Sequence, residues 1–529
     1  MIRRAAAPGR CALLALALLV PGAARAQSLP PLDPSIVATH FDTGRATTIL
    51  TAAFSFMLPR TLEPATPRNL ALWGLDGLPA LDPRLSTLVH GDDVDLRLGT
   101  ATLLSRRAPD TGDAQGWAAL AAAVADAGWT ASPVLRAAGP QAIISSFFDE
   151  LFNHFDPYSR YAPPAEGSRQ TAWLEGSAGL GVELGSRAGR AVITHVKDDG
   201  PAAEAGLQPG DAIEAVDGQS TRGQTPDTVA RWLAGPEDTD TVLTVRTVSG
   251  RVRDQRIPRR IVTPETVYAD TIGAGRAGSW LRLRITGFTH DTDRRVETEL
   301  LRALRDPGHA RTPTGLIIDL RGNRGGLLRQ AAQSADLLLG GGVVAVTEGR
   351  DPEASTTWLS RPDDITGGLP LVVLVDGRTA SAAEILAAAL QDHGRAVLIG
   401  SATLGKGLVQ TVTTLPDGGA LYVTWSRVLA PAGYPLQALG VLPQICSALG
   451  SETLASELHD LAAGRLDMLP ALLRHAAIRP GAAPATILGV RAACPAAEGR
   501  DQDVLTARRL LASPKLYAAA RLALSPPPP

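Results

Sequence analysis

The sequence is poor in aromatic residues and cysteines and has no excess of charge of either sign. Phe, Trp and Tyr make up 4% of its 529 residues, so smaller aliphatic side chains must form most of a core. The 51 Lys and Arg residues nearly balance 53 Asp and Glu residues, which argues against the basic surface typical of nucleic-acid-binding proteins. No apolar run reaches the roughly 20 residues that a membrane-spanning helix needs. With 45% hydrophobic residues, the composition is that of a globular protein.

The first 26 residues have the layout of a cleavable secretory signal. Arg3, Arg4 and Arg10 precede the apolar run 12–20, and Ala24-Arg25-Ala26 supplies small residues for a cleavage site. A membrane anchor is the alternative, but the run is only about half the length needed to span a bilayer. We therefore expect residues 1–26 to be a signal peptide and the protein to be exported, periplasmic or extracellular, and soluble after cleavage.

Two cysteines, Cys446 and Cys494, remain after the predicted signal, which contains Cys11. A disulfide between them would persist in an oxidising compartment, whereas two free thiols are the alternative. Neither cysteine has the nearby His or Cys partners of a zinc site, so the sequence predicts no metal.

Turn signals and hydrophobic periodicity divide the rest of the chain into four parts. Residues 263–447 alternate strand and helix patterns, which predicts parallel strands with crossover helices. The predicted parts are a helical N-terminal domain at 27–168, a β-rich module at 169–262, an α/β domain at 263–447 and a helical C-terminal extension at 448–529.

Ser381 and Lys406 are the candidates for nucleophilic chemistry. Ser381 follows a predicted strand and turn and opens a helix, where unpaired backbone N–H groups could stabilise an oxyanion. A helix-capping serine is the alternative. Lys406 follows after one more helix and strand, and apolar neighbours could desolvate its amine and lower its pKa, as a general base requires.

Two rival interpretations involve the same region. The segment 400–407 resembles a phosphate loop, but Gly407 stands where magnesium would need Ser or Thr, and a β-rich segment follows instead of a helix. His393 could pair with a serine, but a helix from Ser381 would separate the two by about 18 Å. A second glycine-rich turn, 321–326, follows a predicted buried strand and could present backbone N–H groups to a ligand.

Seven short motifs follow one another between residues 145 and 447. They are Asp156-Pro157-Tyr158-Ser159-Arg160-Tyr161, Gly179-Leu180-Gly181-Val182, Pro201-Ala202 to Gly210-Asp211, Asp319-Leu320-Arg321 to Gly325-Gly326, Thr379-Ala380-Ser381-Ala382-Ala383-Glu384-Ile385, Gly405-Lys406-Gly407-Leu408-Val409-Gln410 and Gly440-Val441-Leu442-Pro443. In this order they resemble the C-terminal processing peptidases, which are tail-specific serine proteases with a PDZ domain. The resemblance implies a multidomain α+β protein, with a PDZ-like module and a crotonase-like α/β serine protease domain.

The resemblance also implies roles for individual residues. Ser381 would be the nucleophile, Lys406 the general base and Gln410 the residue that orients the lysine, although a structural glutamine is the alternative. The backbone N–H groups of Ala382 and of one glycine in Gly325-Gly326, with Gly325 favoured, would form the oxyanion hole. No metal or cofactor is needed.

The PDZ resemblance implies how substrates are recognised. Leu180, Gly181 and Val182 would capture a terminal carboxylate, with Val229 in the side-chain pocket, although a purely architectural glycine turn is the alternative. The expected function is an exported serine endopeptidase that recognises proteins or peptides by exposed apolar C-terminal tails. An adaptor, a regulator or a homodimer is compatible with the family, and no nucleic acid is expected.

Two other functions stay open. One is an exported, non-catalytic PDZ scaffold that binds peptides, and the other is a carbohydrate- or lipid-binding protein on the same fold. Two residues depart from the family pattern: Arg324 stands where Pro is common, and Gln444 stands where Asp is common.

Overall fold

The computed structural model describes residues 40–275, 278–305 and 312–522. The predicted signal peptide, residues 1–26, lies outside these described residues. Within the described ranges, none of the helices combines the length and the apolar character required to cross a bilayer.

The N-terminal region packs helices around an aromatic core that includes Phe54, Trp117, Phe147 and Phe148. Its helices are α1 Thr43–Arg60, α2 Pro67–Leu75, α3 Gly77–Leu81, α4 Ala114–Ala131, α5 Pro133–Ala138 and α6 Pro140–Phe152, and its strands are β1 Leu85–His90, β2 Asp93–Leu98 and β3 Ala101–Arg107. The strands form an antiparallel sheet that the sequence interpretation did not predict. Its outer strands are largely exposed, so they lack a strong apolar pattern.

The second region is a β-rich module, as predicted. It is preceded by β4 Arg160–Ala162 and α7 Pro164–Glu175, and contains β5 Ser177–Gly179, β6 Val182–Arg187, β7 Arg190–Val196, α8 Pro201–Glu204, β8 Ala212–Val216, β9 Gln219–Ser220, α9 Pro226–Leu233, β10 Asp240–Arg246, β11 Val252–Pro258 and β12 Arg260–Val262. The main sheet has the order β11-β10-β8-β7-β6. Thr225 caps α9 by accepting a hydrogen bond from the Thr228 N–H. The predicted boundary at residue 168 falls within α7, which leads into this module.

The third region contains two sheets. Its elements are β13 Val267–Gly275, β14 Gly278–Ile285, α10 Thr292–Arg305, β15 Gly315–Asp319, α11 Leu328–Asp336, β16 Gly342–Gly349, a 3-10 turn Pro352–Ala354, β17 Thr356–Ser360, β18 Leu371–Val375, α12 Ala382–Asp392, β19 Val397–Gly400, β20 Leu408–Thr414, β21 Ala420–Leu429 and β22 Ile445–Cys446. The central sheet has the order β13-β14-β15-β18-β19-β22. Within this order, each neighbouring pair of strands from β14 onwards is parallel. The second sheet has the order β17-β16-β21-β20, with β4 paired to β21.

The parallel order determines where the site residues lie. The carboxyl ends of parallel strands meet at one edge of a sheet, and the loops after β15, β18 and β19 contain the glycine turn 321–326, Ser381 and Lys406. The fold therefore brings together, at one edge of the central sheet, the three segments that the sequence analysis identified as candidates.

Part of the C-terminal extension covers the second face of the central sheet. Its helices are α13 Ser451–Ala462, α14 Leu469–Ala476, α15 Pro484–Arg491, α16 Asp501–Leu511 and α17 Pro514–Ala520. Leu454, Leu510 and Tyr517 pack against Ile317 and Val372 of the sheet. The opposite face packs against α10, α11 and α12, so the sheet is buried between two helical layers. Residues of α14 and α15 belong to the cluster on this opposite side.

Candidate functional site

Ser381 lies in a strained turn at the start of α12. Its backbone angles, φ 57° and ψ −120°, are in a region that favours glycine, whereas α12 behind it is buried throughout. The Asp376 carboxylate supports the turn by accepting hydrogen bonds from the N–H groups of Gly322, Arg378 and Thr379 at 2.9 to 3.0 Å. The turn thus presents Ser381, itself only partly buried, at the edge of the sheet.

One buried carboxylate joins the Ser381 and Lys406 segments. Glu384 Oε2 accepts hydrogen bonds from the backbone N–H of Ser381 at 2.8 Å and from that of Lys406 at 2.9 Å. The two nitrogens therefore cannot lie farther apart than the sum of these distances, 5.7 Å. Glu384 Oε1 accepts from the Gly405 N–H at 2.7 Å and from the Thr403 hydroxyl. Burial raises the pKa of Glu384, and these donors act in the opposite direction by favouring the carboxylate.

The Lys406 side chain lies in a partly buried, electrostatically mixed environment. Its Nζ lies 4.9 Å from the centre of the Tyr158 ring. Burial is the main cause that lowers the pKa of Lys406, and the charge of Arg160 lowers it further, whereas Asp156 and Glu384 raise it. The net direction is towards the neutral amine.

Gln410 belongs to a polar chain next to this lysine. Its Nε2 donates to Thr424 Oγ1 and to the Leu408 carbonyl, each at 3.1 Å. The Thr424 hydroxyl donates to Asp156 Oδ1 at 2.7 Å. Gln410 therefore connects to the surroundings of Lys406 through Thr424 and Asp156, the carboxylate that acts on the lysine electrostatically.

The glycine turn packs directly against Ser381. A Cβ on Gly325, whose φ is 97°, would lie 2.7 Å from the Ser381 Cβ and 3.0 Å from the Ala382 nitrogen, so only glycine fits. However, the Gly325 N–H donates to Asn323 Oδ1 at 2.8 Å. In this structure Gly325 is thus not available as an oxyanion donor, in contrast to the sequence-based expectation.

The two rival interpretations find no support in the geometry. His393 lies at the far end of α12, where its Nε2 contacts the Val343 carbonyl at 2.7 Å. In the segment 400–407, the N–H groups of Gly405 and Lys406 point to the Glu384 carboxylate, and β20 follows. A phosphate at this segment would face the Glu384 carboxylate, because the N–H groups that could bind it already donate to Glu384.

The residues predicted to bind a peptide lie in the β-rich module, but not all are accessible. Gly181, with φ 76°, forms the turn before β6, and its carbonyl accepts from the Lys197 N–H at 2.9 Å. Leu180 is 2% exposed and Val229 is 0% exposed, both within the core of the module. The expectation that Val229 lines the side-chain pocket needs correction, because Val229 belongs to this core. The partly buried apolar side chains packed against the core are Val182, Leu184, Ala203, Ala205 and Trp232.

The cysteines and one departure from the family pattern have structural explanations. Cys446 and Cys494 form a disulfide, with an S–S distance of 2.09 Å. Gln444, which is 1% exposed, accepts hydrogen bonds from the Leu398 N–H at 2.8 Å and from Gln391 Nε2 at 2.9 Å. Arg324 is exposed within the glycine turn. In the described part of the chain, no group of three or more His, Cys, Asp or Glu residues could hold a metal ion.

Four residues of this site had no role in the sequence interpretation: Tyr158, Asp156, Thr424 and Glu384. The first two belong to a motif that was recognised without a function. Glu384 had a signal, because a serine followed three residues later by glutamate is the pattern of a capping box, in which the glutamate reaches back to the N-cap N–H. Thr424 lies on β21, and no local pattern marks it.

Comparisons with known proteins match two parts of this chain to known families. The model of peptidase family S41 matches residues 281–447, and a PDZ domain model matches residues 192–247. A carboxy-terminal-processing protease of Bartonella bacilliformis is 33% identical over 311 residues, which cover 58% of this chain and 69% of that protein. A protein of Staphylococcus aureus named "Probable CtpA-like serine protease" is 31% identical over 296 residues, 55% of this chain and 57% of its own length. Among solved structures, the photosystem II D1 C-terminal processing protease is 25% identical and covers 71% of this chain and 92% of its own, with a TM-score of 0.35.

Proposed function

This chain belongs to peptidase family S41, with the carboxy-terminal-processing proteases, and from this premise we propose that Ser381 and Lys406 are its catalytic dyad. The Ser381 hydroxyl attacks the scissile carbonyl carbon while the neutral Lys406 amine takes its proton. Lys406 then protonates the leaving amine, and in the second half of the reaction it takes a proton from the water that hydrolyses the acyl-enzyme. The observation that carries this proposal is that one Glu384 oxygen binds the backbone N–H of both residues.

The lysine must be neutral to act as a base, and its surroundings favour that form. Burial removes water from the ammonium group and Arg160 repels it, and both effects lower the pKa of Lys406. Arginine could not replace it because a guanidinium does not deprotonate in proteins. Gln410 would then act through Thr424 and Asp156 to fix the charge distribution around the amine.

The proposed oxyanion hole combines Ala382 with Gly326. The Ala382 N–H lies at the start of α12, where helix N–H groups lack intrahelical partners. The adjacent turn contributes Gly326 in preference to Gly325, because Asn323 already binds the Gly325 N–H. Two backbone donors aimed at the developing oxyanion would stabilise the tetrahedral intermediate.

The proposed substrates are proteins or peptides with exposed, apolar C-terminal tails. PDZ domains bind such tails as an added strand, and we assign β6 and α9 as the two sides of the proposed groove. The proposed location is outside the cytoplasm, which the signal-like N-terminus and the Cys446–Cys494 disulfide support. Binding of an adaptor, a regulator or a second copy of the chain stays a prediction.

Cleavage of an unfolded protein tests the proposal. Ser381→Ala and Lys406→Arg should each reduce degradation of reduced, fluorescently labelled casein at least about a thousandfold, because each removes one half of the dyad. Ser451→Ala and Lys515→Arg, at exposed positions of α13 and α17, are the matched controls and should cleave normally.

Thermal unfolding of each variant checks that the fold is intact. Full activity of Ser381→Ala or Lys406→Arg would refute the dyad. The alternative, a non-catalytic peptide-binding scaffold, instead requires that the unmodified protein binds casein tails and cleaves none of them.

A further inference from the structure

A short segment of the C-terminal extension lies behind the site and contacts two of its loops. This segment, residues 491–500, begins at the last residue of α15 and ends before α16, and we name it the strap. It lies outside the region 281–447 that the peptidase family model matches. The Cys446–Cys494 disulfide joins it covalently to the end of the central sheet.

Arg491 binds the loop that carries Lys406. Its Nη2 donates to the Thr403 carbonyl at 2.8 Å and its Nη1 donates to the Leu439 carbonyl at 2.5 Å. Both of these partners are fully buried. The planar guanidinium therefore bridges two backbone segments through two different nitrogens, a geometry that the single nitrogen of a lysine does not reproduce.

Thr403 links this contact to the lysine. Its hydroxyl donates to Glu384 Oε1 and accepts from the Val441 N–H at 2.8 Å. Glu384 in turn binds the N–H groups of Lys406 and Ser381. A chain of hydrogen bonds thus runs from Arg491 through Thr403 and Glu384 to both members of the proposed dyad.

The rest of the strap contacts the loop that carries Ser381. The Ala497 carbonyl accepts from the Gly377 N–H at 2.8 Å and from the Ser401 hydroxyl at 2.9 Å, so one oxygen connects the two loops. The Gly499 N–H donates to Asp376 Oδ2 at 3.2 Å, and Asp376 supports the turn before Ser381. The strap therefore contacts the serine loop and the lysine loop together.

We propose that Arg491 is a positioning residue for the general base, supplied by the C-terminal extension. It fixes the Thr403 carbonyl, and through Thr403 and Glu384 it keeps Lys406 partly buried and close to Ser381. This inference rests on the proposed Ser-Lys mechanism. A change at Arg491 should therefore alter turnover and the protonation of Lys406, while substrate binding at the PDZ domain stays the same.

Steady-state kinetics of the full chain on a quenched fluorescent peptide ending in three alanines tests this. Arg491→Ala should lower kcat about tenfold or more and change KM less than about twofold, since a small displacement of a catalytic group costs turnover. The pH at half-maximal kcat should move upwards, because a loosened loop admits water to Lys406 and raises its pKa. Arg491→Lys, which keeps the charge but binds one carbonyl, should lie between Arg491→Ala and the unmodified protein in both readouts.

Arg479→Ala is the matched control. Arg479 is an exposed arginine of the same extension that also donates to two backbone carbonyls, but these belong to its own segment, Ala476 and Ile478. It should match the unmodified protein in kcat and in pH profile. Thermal unfolding checks each variant, and Arg491→Lys provides the readout if Arg491→Ala does not fold.

Two results would overturn the inference: an unchanged kcat in both Arg491 variants, or a reduced kcat with an unchanged pH midpoint, which indicates a merely structural role. Failure of the dyad itself is separable. If Ser381→Ala cleaves the same peptide, the proposed function fails whatever Arg491 does.

Discussion

Ser381 keeps its unusual backbone conformation because neighbouring segments hold it from several sides. Its N–H binds Glu384, the preceding Ala380 N–H binds the Asn323 carbonyl at 2.9 Å, and the Thr379 carbonyl accepts from the Leu404 N–H at 2.9 Å. A non-glycine residue in this region costs about 1 to 3 kcal/mol. The surrounding loops therefore maintain a strained serine whose hydroxyl is presented at the sheet edge.

Arg160 is a second single residue that should affect the site, because its charge should set the pH range of activity. Arg160 lowers the pKa of Lys406, so Arg160→Gln should raise that pKa. Because the neutral lysine is the active form, the rising limb of kcat/KM against pH should move to higher pH. Peptide cleavage between about pH 5 and 10 measures this.

Arg169→Gln is the control for this prediction. Arg169 is an exposed arginine of α7 whose charge is not among the causes that shift the pKa of Lys406. If the rising limb of kcat/KM against pH stays in place or moves to lower pH in Arg160→Gln, the result contradicts the electrostatic effect of Arg160 on Lys406.

Individual residues were predictable where local pattern decides their position. Ser381 and Lys406 follow strands and turns that the sequence marks clearly. The occupied Gly325 N–H was not predictable, because it depends on how the Asn323 side chain folds back within the turn. The burial of Val229 did have a signal, since Val229 and Leu233 lie four residues apart on the inward face of α9.

At the scale of elements, the parallel order of the central sheet was predictable and the small N-terminal sheet was not. Alternating strands and helices require crossover connections, and these bring the loops after β15, β18 and β19 to one edge. In contrast, β1 and β3 expose most of their side chains, so hydrophobic periodicity gives little signal. The placement of β20 and β21 in a second sheet also depends on the pairing of β21 with β16, which lies far away in the chain.

The turn before β6 should bind the carboxylate of a peptide tail. A fluorescein-labelled peptide ending in three alanines with a free carboxylate should bind the Ser381→Ala protein at least about tenfold more tightly than the same peptide amidated at its C-terminus, since backbone N–H groups prefer the anion. Fluorescence anisotropy measures both affinities. Equal affinities would contradict carboxylate capture at Gly181.

At the scale of the whole molecule, the C-terminal extension is an integral layer of the catalytic domain. Its helices α13, α16 and α17 bury one face of the central sheet, and its strap contacts the loops that carry Ser381 and Lys406. The sequence indicated helices here, but it could not show that they cover the sheet, because α16 and α17 pack against strands far away in the chain.

Removal of the disulfide should weaken this layer. Cys446 and Cys494 are separated by 48 residues, and loss of a bond that closes such a loop typically costs about 2 to 4 kcal/mol of unfolding free energy. The double variant Cys446→Ala/Cys494→Ala should therefore unfold at lower urea concentration. A reducing agent should shift the unmodified protein to a similar extent and leave the double variant unchanged, and coincident curves for all samples would refute this expectation.

The same covalent bond changes what a backbone cut would do. The disulfide connects the residues on both sides of the segment 447–493, so one hydrolysed peptide bond there leaves two fragments that remain attached to each other. Arg491 and the carbonyls it binds would stay in one particle after such a nick, and gel electrophoresis would separate the fragments only under reducing conditions. A single cut in this supporting part of the chain would therefore release no fragment until the disulfide is reduced.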